Sequence, residues 1–162
     1  MTLAELNALG DDEVRARLAR CLAVPRWVED VASGRPYADR AALLGTADAA
    51  ARELTDDELD QALAGHPRIG ERPGAGHDAG HSRREQAGVD PAAGDDVARL
   101  AAGNRDYEER FDRVFLIRAA GRGSAEILAE LRRRLANDDA TERAETVDNL
   151  REIALLRLEQ EI

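Results

Sequence analysis

Where a period can be read along this chain, apolar residues recur at three- and four-residue intervals, which predicts helices rather than strands. Thr2 with Glu5, and Thr55 with Glu58, have the spacing of capping boxes. They open a short helix reaching about Leu9 and another over Asp56–Ala64. A second helix is expected over Asp11–Cys21. Pro25 suits the first turn of a third, over residues 26–32, with Trp27 and Val31 on one face. A fourth is expected over residues 39–53. Between Gly65 and Gly80 the period is lost to five glycines and two prolines. Such a stretch reads as a long, irregular candidate binding loop near residues 65–81. Short helix returns over residues 82–87. Leu100, Asn104, Tyr107 and Phe111 then place a longer helix from about Asp95. The apolar run at 114–117 is too short to classify, and Ser124–Leu135 and residues 141–161 read as amphipathic helices. With no repeat and no linker, residues 1–162 are expected to form a single all-α, multi-helix domain.

Composition supports this pattern and removes some chemistry. Ala, Leu, Glu and Arg dominate and aromatics are 3%, which favours helix. The 162 residues suit one domain. All 23 basic residues are arginine. Without lysine there is no side-chain Schiff base, no lysine general base and no P-loop lysine. A net charge of -10 argues against nucleic acid or an anionic membrane as partner. The single Cys21 excludes an internal disulfide and fits a reducing compartment. The N-terminal residues lack the apolar core of a signal peptide, so a cytoplasmic location is expected.

Candidate chemistry gathers around the loop. His66, His77 and His81 are the only histidines. With Glu85, which follows His81 by four residues, they could form a zinc or iron shell, although the local glycines disfavour a continuous helix there. Alternatively, His66 and Glu85 form an acid/base pair, since a histidine exchanges its proton near neutral pH. Ser82, Glu85 and Gln86 would then offer donors and acceptors to a small polar ligand, and Pro67 would stiffen the backbone after His66. In the last helix, Val147, Leu150, Ala154 and Leu158 form an inward stripe. Arg157 at its edge either snorkels or holds a buried anion. Cys21 and Trp27 read as core. These residues leave three readings open: an acid/base enzyme, a metal-dependent hydrolase on a helical bundle using His66, His77, His81 and Glu85, or a non-catalytic helical binding protein.

Taken in order, the short motifs narrow the choice. His66-Pro67-x-Ile-Gly70, Ser82-x-x-Glu85-Gln86 and Asn104-x-x-Tyr107-x-x-x-Phe111-x-x-x-Phe115-Leu116-Ile117 resemble the 2-oxo-4-hydroxy-4-carboxy-5-ureidoimidazoline (OHCU) decarboxylase family. Similarity continues through Ile127-Leu128 and Arg134-Leu135-x-Asn137-Asp138 to Arg157-Leu158. It also includes Leu6-Asn7, Cys21, Arg26-Trp27 and Arg35-Pro36-Tyr37. The resemblance implies an all-α homodimeric enzyme that needs neither metal nor organic cofactor and completes the breakdown of urate to (S)-allantoin. It places the catalytic histidine on His66 and its glutamate partner on Glu85. Substrate contacts fall on Pro67, on Ser82, Arg83, Arg84 and Gln86, and on Phe115, Leu116, Ile117, Arg118 and Ala119. An arginine near the C-terminus falls on Arg157. The chain departs from the family's Phe-Gly-Phe with Phe111-Asp112-Arg113, so Asp112 is expected to strain a turn that suits glycine. Arg118 stands where small or apolar residues are usual.

Overall fold

The computed structural model describes residues 1–70, 81, 84–88 and 94–162, and all regular structure among them is helical. In chain order the helices are α1 Leu3–Ala8, α2 Asp11–Cys21, α3 Pro25–Ser33, α4 Arg40–Arg52, α5 Asp56–Ala64, α6 Gly94–Phe111, α7 Ser124–Leu135 and α8 Asp139–Glu161. His81, Arg84 and Glu85 also have helical backbone, and Gln86 begins a turn. The expected all-α class holds, with most helix ends within two residues of the pattern. No described helix is long and apolar enough to cross a membrane. Most of the expected 65–81 loop, residues 71–80, lies outside the described residues, as do Ser82 and Arg83.

The described chain packs as two compact units, Met1–Ala64 with Leu150–Ile162, and Gly65–Asn149. In the first unit, Thr2 and Glu5 close the expected capping box at the start of α1. The exposed carbonyls at its far end go to one guanidinium. Arg35 Nη1 donates to Leu6 O at 3.1 Å and Leu9 O at 2.8 Å, answering acceptors that a helix end leaves open. Trp27 is fully buried and its indole N–H donates to Ala47 O at 2.9 Å. Ala47 and Ala51 on α4 are equally buried, small enough to admit the ring. Arg26 binds both carboxylate oxygens of Glu58 at 2.7 and 3.0 Å, so the residue that caps α5 also anchors α3. The expected stripe of α8 is buried at Val147, Leu150, Ala154 and Leu158.

The core of the second unit joins Ile69, Leu100, Tyr107, Phe111, Phe115 and Ile117 with the apolar face of α7, Ile127, Leu128 and Leu131. Tyr107 packs against Phe111 at 4.8 Å between ring centroids and meets Phe115 edge-on at 5.2 Å. Its hydroxyl donates to Glu142, which also pairs with Arg134; both charged residues are fully buried. Burial, reinforced by the Glu142 carboxylate, pushes the Tyr107 phenol up to about 12. The α6 helix stops at Phe111 because Asp112 turns left-handed, with φ of 53°, and its N–H donates back to Glu108 O at 2.9 Å. The turn that suits glycine therefore exists here, and an aspartate occupies it.

Two outcomes follow from this packing. Asp112→Gly should raise the unfolding free energy by about 0.5–1 kcal/mol: a left-handed penalty of about 1–2 kcal/mol is relieved, less the extra chain entropy of glycine when unfolded. Urea denaturation of both forms measures it, and an unchanged or lower midpoint contradicts it. The second concerns alkali. The folded phenol of Tyr107 titrates above its ordinary value near 10, so its contribution is complete below pH 10 and lost as pH rises toward 12. Stability against urea should fall across that window, and Tyr107→Phe should flatten part of the fall while lowering stability at pH 8.

Candidate active site

His66 follows α5 after a single glycine and is half-buried. Pro67 fixes the next φ, and the two residues beyond are pinned from different sides. Ile69 is buried, and its carbonyl accepts from Asn104 Nδ2 on α6 at 3.0 Å. Gly70 takes a positive φ of 90° and donates its N–H to Gln86 Oε1 at 3.2 Å. Arg68 meanwhile forms a two-pronged ion pair with Glu108, its second bond 3.0 Å long. His66 thus leaves α5 on a backbone held by three side chains distant in sequence. A cavity of about 330 Å³ lies beside this stretch, lined by Ile69, Gly70, Val97, Asn104 and the Arg68–Glu108 pair.

The residues read as a ligand-binding turn divide in their duties. Glu85 is half-buried on helical backbone. Gln86 spends its carbonyl oxygen on Gly70 and keeps an amide NH2 as donor. Two residues on, a side chain at Gly88 would place a Cβ 2.3 Å from the Arg122 carbonyl oxygen, so only glycine fits where the turn meets that backbone. Arg84, expected at the substrate, lies 3.1 Å from His81 Nδ1. A guanidinium only donates, so a hydrogen bond here takes Nδ1 as its acceptor. Among the described residues, no three His, Cys, Asp or Glu side chains gather as a metal would require. His77 lies outside them.

The expected lining segment is buried at Phe115, Leu116, Ile117 and Ala119 and half-buried at Arg118. The Phe115 ring faces the Arg134 guanidinium at 4.7 Å and Tyr107, which makes it core. Arg134 Nη1 donates to Leu116 O at 2.6 Å, and the Arg118 N–H donates to Asn149 Oδ1 at 2.9 Å. Sequence reasoning assigned Arg134 no role. Its position seven residues beyond Ile127 and three beyond Leu131 on the same stripe was the available signal, because an arginine on an apolar face needs a buried partner.

Arg157 belongs to the first unit and is 2% exposed, which rules out snorkelling. Its Nη1 donates to Arg20 O at 3.4 Å. Cys21 is buried as expected, and desolvation pushes its thiol up to about 12, so it stays protonated at neutral pH. A thiol in that state is a poor nucleophile.

Comparisons with known proteins agree with the order of these motifs. The chain is 27% identical over 159 residues to a 2-oxo-4-hydroxy-4-carboxy-5-ureidoimidazoline decarboxylase of Haloferax volcanii, covering 98% of this chain and 94% of that one. It is 24% identical over 161 residues to a uric acid degradation bifunctional protein of Bacillus sp. strain TB-90, covering 99% of this chain and only 32% of that longer protein. A crystal structure of OHCU decarboxylase obtained in the presence of (S)-allantoin shares its fold, with a TM-score of 0.76 at 22% identity over 90% of this chain and 96% of that one. The family model for OHCU decarboxylase matches residues 7–159, the stretch that holds every motif from Asn7 to Arg157, and the chain belongs to that family.

Proposed function

We propose that this chain catalyses the decarboxylation of OHCU to (S)-allantoin in urate catabolism, in the cytoplasm, as a homodimer, and with no metal or organic cofactor. The observation that carries this reading is the family match over residues 7–159, which includes the pinned backbone after His66. The chemistry suits a chain without lysine. When the carboxylate leaves as CO2, its bonding pair forms a double bond to the adjacent imine carbon. The imine π pair passes to its nitrogen, which takes up a proton, so the substrate is its own electron sink. A second proton then adds to one face of the former imine carbon as the neighbouring enol hydroxyl loses its proton to become a carbonyl, a net uptake of one proton. The protein's tasks are to hold the ring, aim the departing carboxylate and choose the face that is protonated.

His66 is the acid/base group at the reacting centre in this reading. Its tether is short and stiff, and its ring exchanges a proton near neutral pH. Glu85 is its partner on the hydroxyl or ureido side. Ser82 and the amide NH2 of Gln86 meet the ring, as do backbone groups of residues 115–119. Anion recognition by Arg157 rests on the family resemblance.

His66→Asn should lower kcat by at least about 100-fold, the usual scale of lost proton transfer, with a thermal midpoint within a few degrees of the parent. Circular dichroism on OHCU freshly generated by urate oxidase and hydroxyisourate hydrolase reads rate and handedness together. A variant that forms (S)-allantoin at the parent rate removes His66 from this role.

A further inference from the structure

The segment from Phe115 to Ala119 has no helix or sheet of its own, and two side chains hold it from outside. On α7, Arg134 is fully buried and reaches the Leu116 carbonyl with Nη1. The rest of its guanidinium is committed within α8: Nε donates to Glu142 Oε1 at 2.9 Å, and Nη2 to the same oxygen and to Thr146 Oγ1, so its direction is fixed before it meets the segment. On α8, Asn149 is oriented just as firmly. Its Nδ2 donates to Glu145 O at 2.8 Å, one turn back along the helix, which leaves Oδ1 as the acceptor for the Arg118 N–H. The two clamps are therefore two residues apart on the same segment and act on opposite polarities, one on a carbonyl and one on an amide.

Those contacts also engage two backbone groups of the segment. The Arg118 amide, a single donor, is spent on Asn149, and the Leu116 carbonyl accepts from Arg134. Between them lies Ile117, 3% exposed, whose backbone N–H and carbonyl neither clamp engages. A ring edge carrying a carbonyl beside an N–H, as in a hydantoin, is complementary to one backbone N–H and carbonyl held in place.

We propose that Asn149 and Arg134 are positioning residues for the decarboxylation: they clamp the segment at Arg118 N and Leu116 O and so hold the Ile117 backbone where it meets the substrate ring. This assignment rests on the decarboxylase reading above and adds to it two residues that do not themselves touch substrate. It also accounts for Arg118 at a place where small residues are usual. Its backbone amide serves the clamp whatever the side chain is, so the substitution leaves the contact intact.

Asn149 is half-buried and is the clamp that can be altered with the Arg134–Glu142 pair left whole. Asn149→Leu keeps the size and removes the acceptor, whereas Asn149→Asp keeps an acceptor oxygen for the Arg118 amide. The leucine variant should lose about 10- to 100-fold in kcat, the scale of a misplacement near 1 Å. Its KM should rise and its thermal midpoint should stay near that of the parent. The aspartate variant should recover most of the rate. Hydrogen exchange at the Arg118 amide should be slow in the parent and the aspartate variant and fast in the leucine variant, a readout that general loosening of the fold would not confine to one amide. Asn149→Ala serves the same comparison if the leucine variant folds poorly. A parent chain that does not turn over OHCU sinks the decarboxylase reading and this inference with it. An active parent whose leucine and alanine variants keep its kcat, KM and product handedness sinks the inference alone.

Discussion

The second unit depends on one ion pair that water does not reach. Arg134 and Glu142 are both fully buried, and moving such charges out of water is costly unless every polar atom finds a partner. Here the partners are supplied from all sides. Tyr107 donates to Glu142 from α6, Asn137 donates to its other oxygen at 3.1 Å, and Arg134 takes up Leu116 O and Thr146 Oγ1 with the donors left over. Breaking such a pair by removing one partner costs about 3–5 kcal/mol, because the other charge stays behind. The pair ties α6, α7, the first turn of α8 and the 115–119 segment together. A lysine could not replace this arginine, since one ammonium cannot present three separately directed N–H groups from a planar fork. The arginine-only composition thus has a structural use as well as a chemical consequence.

Much of the helical scaffold was legible because its signals are local. The capping boxes at Thr2 and Thr55, the proline opening α3 and the stripe along α8 each lie within a turn or two of sequence, and each forms as expected. The strained turn was legible too, through Asp112 at a position suited to glycine. What escaped has long-range causes. Whether Arg134 is a surface charge or a buried one depends on Glu142, eight residues away across a helix break, and on the carbonyl of Leu116. Asn149 reads as an ordinary helix-face amide until the Arg118 N–H is seen beside it. Arg157 shows the same limit: spacing alone left it between two readings, and only burial removed the snorkelling one.

Site and scaffold share residues here. Gln86 was expected to meet a ligand, yet one end of its amide holds Gly70 and so steadies the backbone leaving His66. Arg84 is turned to His81. Asn104, read at first as one more position in a helical stripe, fixes Ile69. A residue with two such duties cannot be changed for one without disturbing the other. Alanine scanning alone would therefore confuse contact with support, and isosteric changes that alter a single hydrogen-bonding atom are the better instrument.

Trp27 is the chain's single tryptophan, and it sits fully buried in the first unit, with its indole N–H bound to Ala47 O. The second unit, from Gly65 to Asn149, contains none. Intrinsic tryptophan emission from this protein accordingly reports the surroundings of α3 and α4 directly. Its near-ultraviolet tyrosine signal is split between Tyr37 in one unit and Tyr107 in the other. The molecule carries its own optical label on one half, placed by nothing more than where a large ring found small neighbours.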